Sequence, residues 1–220
     1  MPENQCALIV GAGREPAASL ALSLARQGFG LALNDLTPMA IDALAEKARE
    51  MGVKVSCHVA DPSKGLAARM LLDEVLDTWG QIDVLVLNPR AEPRQSLLDL
   101  DEWDWQRTLE SNLNAPFLMM QGVARWMRSE ERGGVILNLI SIGEPLPEEG
   151  SIAFRVSQMG FHALTQAAAK ELSGTGIRVF GLCTGSAMAP GVVAEAARVG
   201  TGLCLGKEVV ESGEIFMLKG

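Results

Sequence analysis

Tyrosine is absent from all 220 residues, histidine occurs only twice, and cysteine four times. Each shortage closes a route. With no phenol anywhere, tyrosine-based proton transfer is excluded outright. Cys6, Cys57, Cys183 and Cys204 stand far apart, with neither a CxxC pair nor the spacing of a zinc site, so they are expected to be reduced, mostly buried thiols, and no metal site is expected. No apolar run approaches the roughly 18 residues of a membrane-crossing helix. Basic residues are outnumbered, 19 Lys+Arg against 27 Asp+Glu for a net charge of −8, and they form no run. Binding a phosphate backbone requires clustered cations that displace counterions, so nucleic acid is excluded as a partner, and no membrane partner is expected. The N-terminal stretch lacks the basic region and long apolar segment of a secretion signal. A soluble cytoplasmic protein is therefore the expectation. No repeat, charge block or Ser/Gly/Pro linker divides the chain, and its length suits one domain, residues 1–220.

What the sequence does contain is an alternation of short apolar runs and longer segments of helical period. The runs Cys6–Val10, Leu31–Asn34, Lys54–Val59, Val84–Asn88, Val135–Ile140 and Arg178–Leu182 are mostly apolar throughout, as strands covered on both faces should be, and Glu214–Leu218 closes the chain. Helices are predicted over about Pro16–Gln27, Pro38–Met51, Gly65–Trp79, Asp101–Arg128 and Ser151–Leu172, with Gly28, Gly52, Gly80 and Gly174 where helices should stop. The fold class is α/β: a single doubly wound Rossmann-type domain, with a parallel sheet of about seven strands and helices on both faces.

The first strand runs into Val10-Gly11-Ala12-Gly13-Arg14-Glu15-Pro16-Ala17, where such folds hold a pyrophosphate on a helix N-terminus. A Gly-x-Gly pair alone marks any tight strand-to-helix turn. Further landmarks follow in order: Asp35 at the end of the second strand, His58-Val59-Ala60-Asp61, Asp83-Val84-Leu85-Val86-Leu87-Asn88-Pro89-Arg90, Asn112-Leu113-Asn114-Ala115, Ile136-Leu137-Asn138-Leu139-Ile140-Ser141, Ala153-Phe154-Arg155-Val156-Ser157-Gln158-Met159-Gly160, and Ile177-Arg178-Val179 before Thr184-Gly185. Over nearly its whole length the chain resembles the short-chain dehydrogenase/reductase family, and within it the 3-oxoacyl carrier-protein reductase-like members. The resemblance implies an oxidoreductase with Gly11, Gly13, Arg14, Ala17, Asp35 and Asn88 at cofactor positions. It implies catalytic roles for Asn112 and Ser141, both retained, and for positions 154 and 158.

In that family a tyrosine and a lysine four residues apart on one helix face carry the proton transfer. The lysine's charge favours tyrosinate, bringing a phenol of ordinary pKa about 10 toward working pH. Ser141 stands thirteen residues before Phe154, the family's spacing, so the register holds; yet the tyrosine position is Phe154 and the lysine position is Gln158. One loses the titratable atom, the other the charge. Of the groups that could substitute as the acid, His162 lies about 80° around the helix from Phe154, given about 100° per residue, and reads as a packing residue before a catalytic one. Glu144, Glu148 and Glu149 follow Ser141 and read as solvated loop charges. Asn112 also fits a purely structural role, bracing a bend in the long helix.

The cofactor motif departs as well. Glu15 and Ala17 stand for the second and third turn glycines. Glu15 either occupies the phosphate site with its own carboxylate or turns to solvent. Arg90 replaces a glycine, Pro89 stiffens its loop, and His58 replaces an aspartate expected beside the adenine. Asp35 favours NAD(H) over NADP(H) wherever a dinucleotide binds, Arg14 argues for NADP(H), and the departures leave open that none binds. The region at about 186–213, with a helix predicted at 191–198, reads as a shortened substrate lid. The leading expectation is a family homologue that has lost the Tyr/Lys mechanism and acts as a binding or partner subunit. The alternative is an NAD(P)(H)-dependent short-chain reductase or dehydrogenase of a carbonyl or alcohol, with another proton donor such as water held by Ser141 and Asn112. The resemblance further implies a homodimer or homotetramer through helices 101–128 and 151–172, with Trp103, Trp105, Met119, Met120, Trp126, Met127 and Phe161 as the large apolar groups there.

Overall fold

The computed structural model describes residues 5–142, 150–185, 189–207 and 210–218. Seven parallel strands, β1 (Cys6–Val10), β2 (Gly30–Asp35), β3 (Val55–Val59), β4 (Val84–Leu87), β5 (Gly134–Ser141), β6 (Ile177–Thr184) and β7 (Ile215–Met217), form one sheet in the order β3-β2-β1-β4-β5-β6-β7. The helices are α1 (Ala17–Arg26), α2 (Pro38–Glu50), α3 (Gly65–Trp79), α4 (Glu102–Leu109), α5 (Ala115–Ser129), α6 (Ile152–Glu171) and α7 (Pro190–Cys204).

The apolar strand runs are explained by burial from both sides. Alternate residues of one strand enter different cores: Ala7 and Ile9 of β1 join α1, α2 and α7, whereas Cys6 and Leu8 join α3, α5 and α6. Each fully buried Leu, Ile or Phe contributes roughly 1.5–3 kcal/mol. Gly80, at φ 69°, closes α3 in the left-handed conformation that an L side chain resists. The chain's four thiols are free, with Cys6, Cys183 and Cys204 buried and Cys57 exposed.

Two predicted elements are corrected. The single helix 101–128 is three pieces, because residues Glu110–Asn114 form a π turn between α4 and α5. Asn112 sits in that turn, fully buried. The helix predicted at 191–198 extends over Pro190–Cys204. Ala196, Leu203 and Cys204 enter the core shared with α1. Gly200, which reads as a breaker, lies so close to Leu20 and Leu137 that a Cβ there would stand 3.1–3.2 Å from them; packing outweighs its weak helix propensity. Residues 186–188 and 208–209 of the expected lid lie outside the described residues.

Burial raises the Cys183 thiol from its ordinary 9.0 to about 11 and the Cys204 thiol to about 12, and it raises Cys6 further, with Asp83 adding to the effect. A folded-state pKa above the unfolded value means that the folded chain keeps its protons longer. Stability is fully present below about pH 9 and falls as pH rises through 11 to 12. Urea midpoints across pH 7–11 should be level to about pH 9 and then decline. A thiol reagent at pH 7.5 should label Cys57 alone until the chain unfolds.

Candidate functional site

Strand order reverses at β1: the chain passes to β2 and β3 on one side and returns to β4 on the other. Such a reversal opens a crevice beyond the carboxyl ends of the two central strands. A cavity of about 550 Å³ lies there, lined by Gly11, Arg14, Asp35, Asn88, Arg90 and Arg107 among others.

The first turn is held tightly from within. Gly11 adopts φ 75°, and a Cβ on it would stand 2.5 Å from the Asn88 carbonyl oxygen, so only glycine fits. The Gly11 and Ala12 amides both donate to the Asn34 carbonyl at 3.0 Å, and the Gly13 amide donates to Asp35 Oδ2 at 2.9 Å. Asn88 Nδ2 donates to the carbonyls of Gly11 (3.1 Å) and Arg14 (3.3 Å). At the start of α1, the Ala18 amide donates to the Arg14 carbonyl. Glu15 accepts from the Ser19 amide at 3.1 Å and from Ser19 Oγ at 2.9 Å. Glu15 combines the two roles open to it: it is exposed and does not line the cavity, yet its carboxylate takes the Ser19 amide in the first turn of α1, where the dipole favours an anion.

The positions implied as catalytic do not line the cavity, which ends short of Ser141, Phe154 and Gln158. Phe154 is 4 % exposed. The Arg90 guanidinium lies 6.0 Å from its ring centroid and pairs with Glu92 at 3.3 Å. Gln158 has no exposed surface; its Oε1 accepts from the Ser141 amide at 2.8 Å, and its Nε2 donates to the Pro89 carbonyl at 3.3 Å. The buried Asn112 clamps Ala91 from both sides, accepting from its amide at 2.7 Å and donating to its carbonyl at 2.8 Å. Its Nδ2 also donates to Ser157 Oγ at 2.9 Å, and that hydroxyl donates to the Phe154 carbonyl at 2.7 Å.

Gly11, Arg14, Asp35 and Asn88 come together at the cavity, whereas Gly13 and Ala17 do not line it. Asp35 spends Oδ2 on Gly13 and Oδ1 on the Leu36 amide at 2.7 Å. His58 is corrected: it does not face the crevice. Its Nε2 lies 2.9 Å from Ser56 Oγ and its Nδ1 3.2 Å from Glu74, because alternate residues of β3 face opposite sides of the sheet. His162 is half-buried on α6. Glu144, Glu148 and Glu149 lie outside the described residues. Of the apolar groups expected at an interface, Met119, Met120, Met127 and Phe161 are buried in the core and Trp103 is exposed; Phe117, Val156 and Met159 are exposed as well. Sequence reasoning missed Trp103, Arg107 and Thr108 of α4 as a cavity wall. Nothing marks them in the sequence, because no matched motif includes them.

Residues 5–198 match the family model described as short chain dehydrogenase. The chain is similar to the 3-oxoacyl-(acyl-carrier-protein) reductase FabG of Staphylococcus epidermidis, 31% identical over 191 residues, covering 86% of this chain and 75% of that one. It is likewise similar to a hydroxy(phenyl)methylsuccinyl-CoA dehydrogenase subunit, BbsD, of Thauera aromatica, 31% identical over 87% of this chain and 74% of the other. Among solved structures, a metagenomic short-chain oxidoreductase in complex with NADP superposes with a TM-score of 0.87 at 26% identity, covering 98% of each chain.

A lysine cannot accept the Ser141 amide, and its ammonium would be buried without a carboxylate. Gln158→Lys should therefore lower stability by about 3 kcal/mol, combining a lost buried hydrogen bond with an unpaired charge, measured as a shift in the urea midpoint.

Proposed function

The chain belongs to the short-chain dehydrogenase family, and we propose that it has given up that family's Tyr/Lys hydride chemistry and serves as a ligand-binding partner subunit. The observation carrying this reading is Gln158. It is not an idle remnant of a lysine but a fully engaged buried amide joining the end of β5 to the loop after β4. The cation that would favour tyrosinate is gone from position 158, and Phe154 offers no proton. Asn112, whose side-chain amide is spent on Ala91 and Ser157, is not poised to hold a catalytic water. Family membership supports a nicotinamide cofactor in the crevice beside Gly11, with Asp35 favouring NAD(H). The cavity there keeps a second reading in play, a reductase with another proton donor.

Partnership is supported by an apolar face on the second helical layer. Phe117 of α5 and Val156 and Met159 of α6 are 41–52 % exposed, and Trp103 of α4 is 66 % exposed. Exposed large apolar side chains clustered on neighbouring helices are a feature of interaction sites. A second copy of this chain is the proposed occupant, forming a homodimer or homotetramer. No helix among the described residues is long and apolar enough to cross a membrane.

General acid catalysis typically contributes 10²–10⁴-fold. With NADH or NADPH and a 3-oxoacyl thioester as probe, the turnover number should fall at least about a hundredfold below the 1–10³ s⁻¹ typical of enzymes; turnover within that range would establish the second reading instead. Light scattering at micromolar concentration should give a dimer or tetramer, and Met159→Asp should shift the mass toward the monomer. A wild-type monomer would overturn the assignment of this face.

A further inference from the structure

A second set of polar side chains stands at the sheet's β3 edge, between β3 and α3. Ser56 and His58 lie two residues apart on β3 and so share one face of the sheet. Ser56 Oγ is 2.9 Å from His58 Nε2, and His58 Nδ1 is 3.2 Å from Glu74 Oε2 on α3. Trp79, at the end of α3, donates its indole N–H to Ser56 Oγ at 2.8 Å. None of these four residues lines the crevice cavity.

The donor and acceptor inventory places each proton of this set. The Glu74 side chain is 62% exposed and, as a carboxylate, only accepts, so the hydrogen between it and His58 sits on Nδ1. A neutral imidazole then accepts at Nε2, and the single hydrogen of the Ser56 hydroxyl points there. An indole only donates, so Trp79 fills one lone pair of Oγ and leaves the other for a bond to carbon. Hydroxyl to Nε2 and carboxylate to Nδ1 is the order that makes a serine a nucleophile. The imidazole is buried, while Ser56 is half-buried and not sealed. The backbone adds a donor. In β3 the Lys54 carbonyl accepts from Leu31 and the Ala60 amide donates to Asp35, so even-numbered groups face β2. The Cys57 amide, next after Ser56, therefore faces the open side of the outermost strand, where it is available to an acyl oxygen.

We propose that Ser56 is an activated nucleophile that hydrolyses short acyl esters, with His58 as its general base and Glu74 as the positioning residue that holds the imidazole. Ser56 Oγ attacks the ester carbonyl carbon as its proton passes to His58 Nε2. The bond from carbon to the alcohol oxygen then breaks, and that oxygen takes the proton from Nε2. Water attacks the acyl-serine in the same way, releasing the acid and restoring the hydroxyl. The site lies at a strand edge, so it suits small acyl groups.

The test uses the full chain with two probes: a fluorophosphonate, whose label is located by peptide mass mapping, and p-nitrophenyl acetate, whose hydrolysis is followed by absorbance. The fluorophosphonate should label Ser56, and mapping separates that serine from the neighbouring Cys57 thiol. Ser56→Ala should abolish the label and lower ester hydrolysis. His58→Gln should slow labelling at least about a hundredfold, the general-base contribution. Glu74→Gln should slow it about tenfold, the worth of a charge-assisted hydrogen bond, and Glu74→Asp, which keeps the carboxylate, should slow it less. Thermal melts report whether each variant folds. Ser56→Ala leaves the bond between His58 and Glu74 in place and decides the matter should His58→Gln unfold. The proposal is overturned if the probe labels another residue or none, if Ser56→Ala hydrolyses the ester as fast as the wild type, or if a folded His58→Gln or Glu74→Gln is labelled at the wild-type rate.

Discussion

Three buried side-chain amides fix the loop that follows β4, and the crevice takes its shape from them. Asn88 ties the start of that loop to the first turn, Gln158 ties Pro89 to the end of β5, and Asn112 grips both backbone groups of Ala91. The reversal of strand order at β1 leaves β1 and β4 with no crossover bridging their ends, so this loop has no regular hydrogen-bonding partner of its own. Its polar backbone must be satisfied by side chains brought from the π turn and from α6. An amide suits the task because it donates and accepts at once, which neither a lysine nor a carboxylate does.

That requirement makes the substitutions at this site a connected set. Once position 158 accepts from the Ser141 amide, the lysine's place on the helix face is closed. Arg90 supplies a cation over the Phe154 ring, paired with Glu92. Phe154, buried beneath it, is a packing residue that the Ser157 hydroxyl helps position through its bond to the Phe154 carbonyl. Gln158 is satisfied by its neighbours, so placing a lysine there alone would unpair the Ser141 amide.

Much of the architecture was legible in the sequence because strands buried on both faces must be apolar throughout, as Ala7 to Ile9 and Val84 to Leu87 are. The turn at Gly11 was legible because the backbone there admits no side chain. The π turn at Glu110–Asn114 was not, since one extra residue in a helix barely disturbs its apolar period. Nor was the length of α7, where Gly200 reads as a breaker until Leu20 and Leu137 are seen against it. At the site, the losses at 154 and 158 could be read directly, but their compensation could not. That Gln158 meets Ser141 and Pro89, that His58 turns to Glu74, and that α4 brings Trp103 and Arg107 over the crevice depend on tertiary geometry that no local spacing encodes.

The electrostatics of the crevice follow from the same displacement of roles. Backbone amides at a helix start hold an anion with fixed dipoles that lose no side-chain entropy on binding. Here several of those amides are spoken for, and Glu15 adds a negative charge to the first turn of α1. A guanidinium on a long, flexible stem, as at the exposed Arg14, forfeits rotamer freedom when it binds, and its charge is screened by salt. Hydride transfer demands rigid orientation, which fixed backbone dipoles supply and flexible guanidiniums do not.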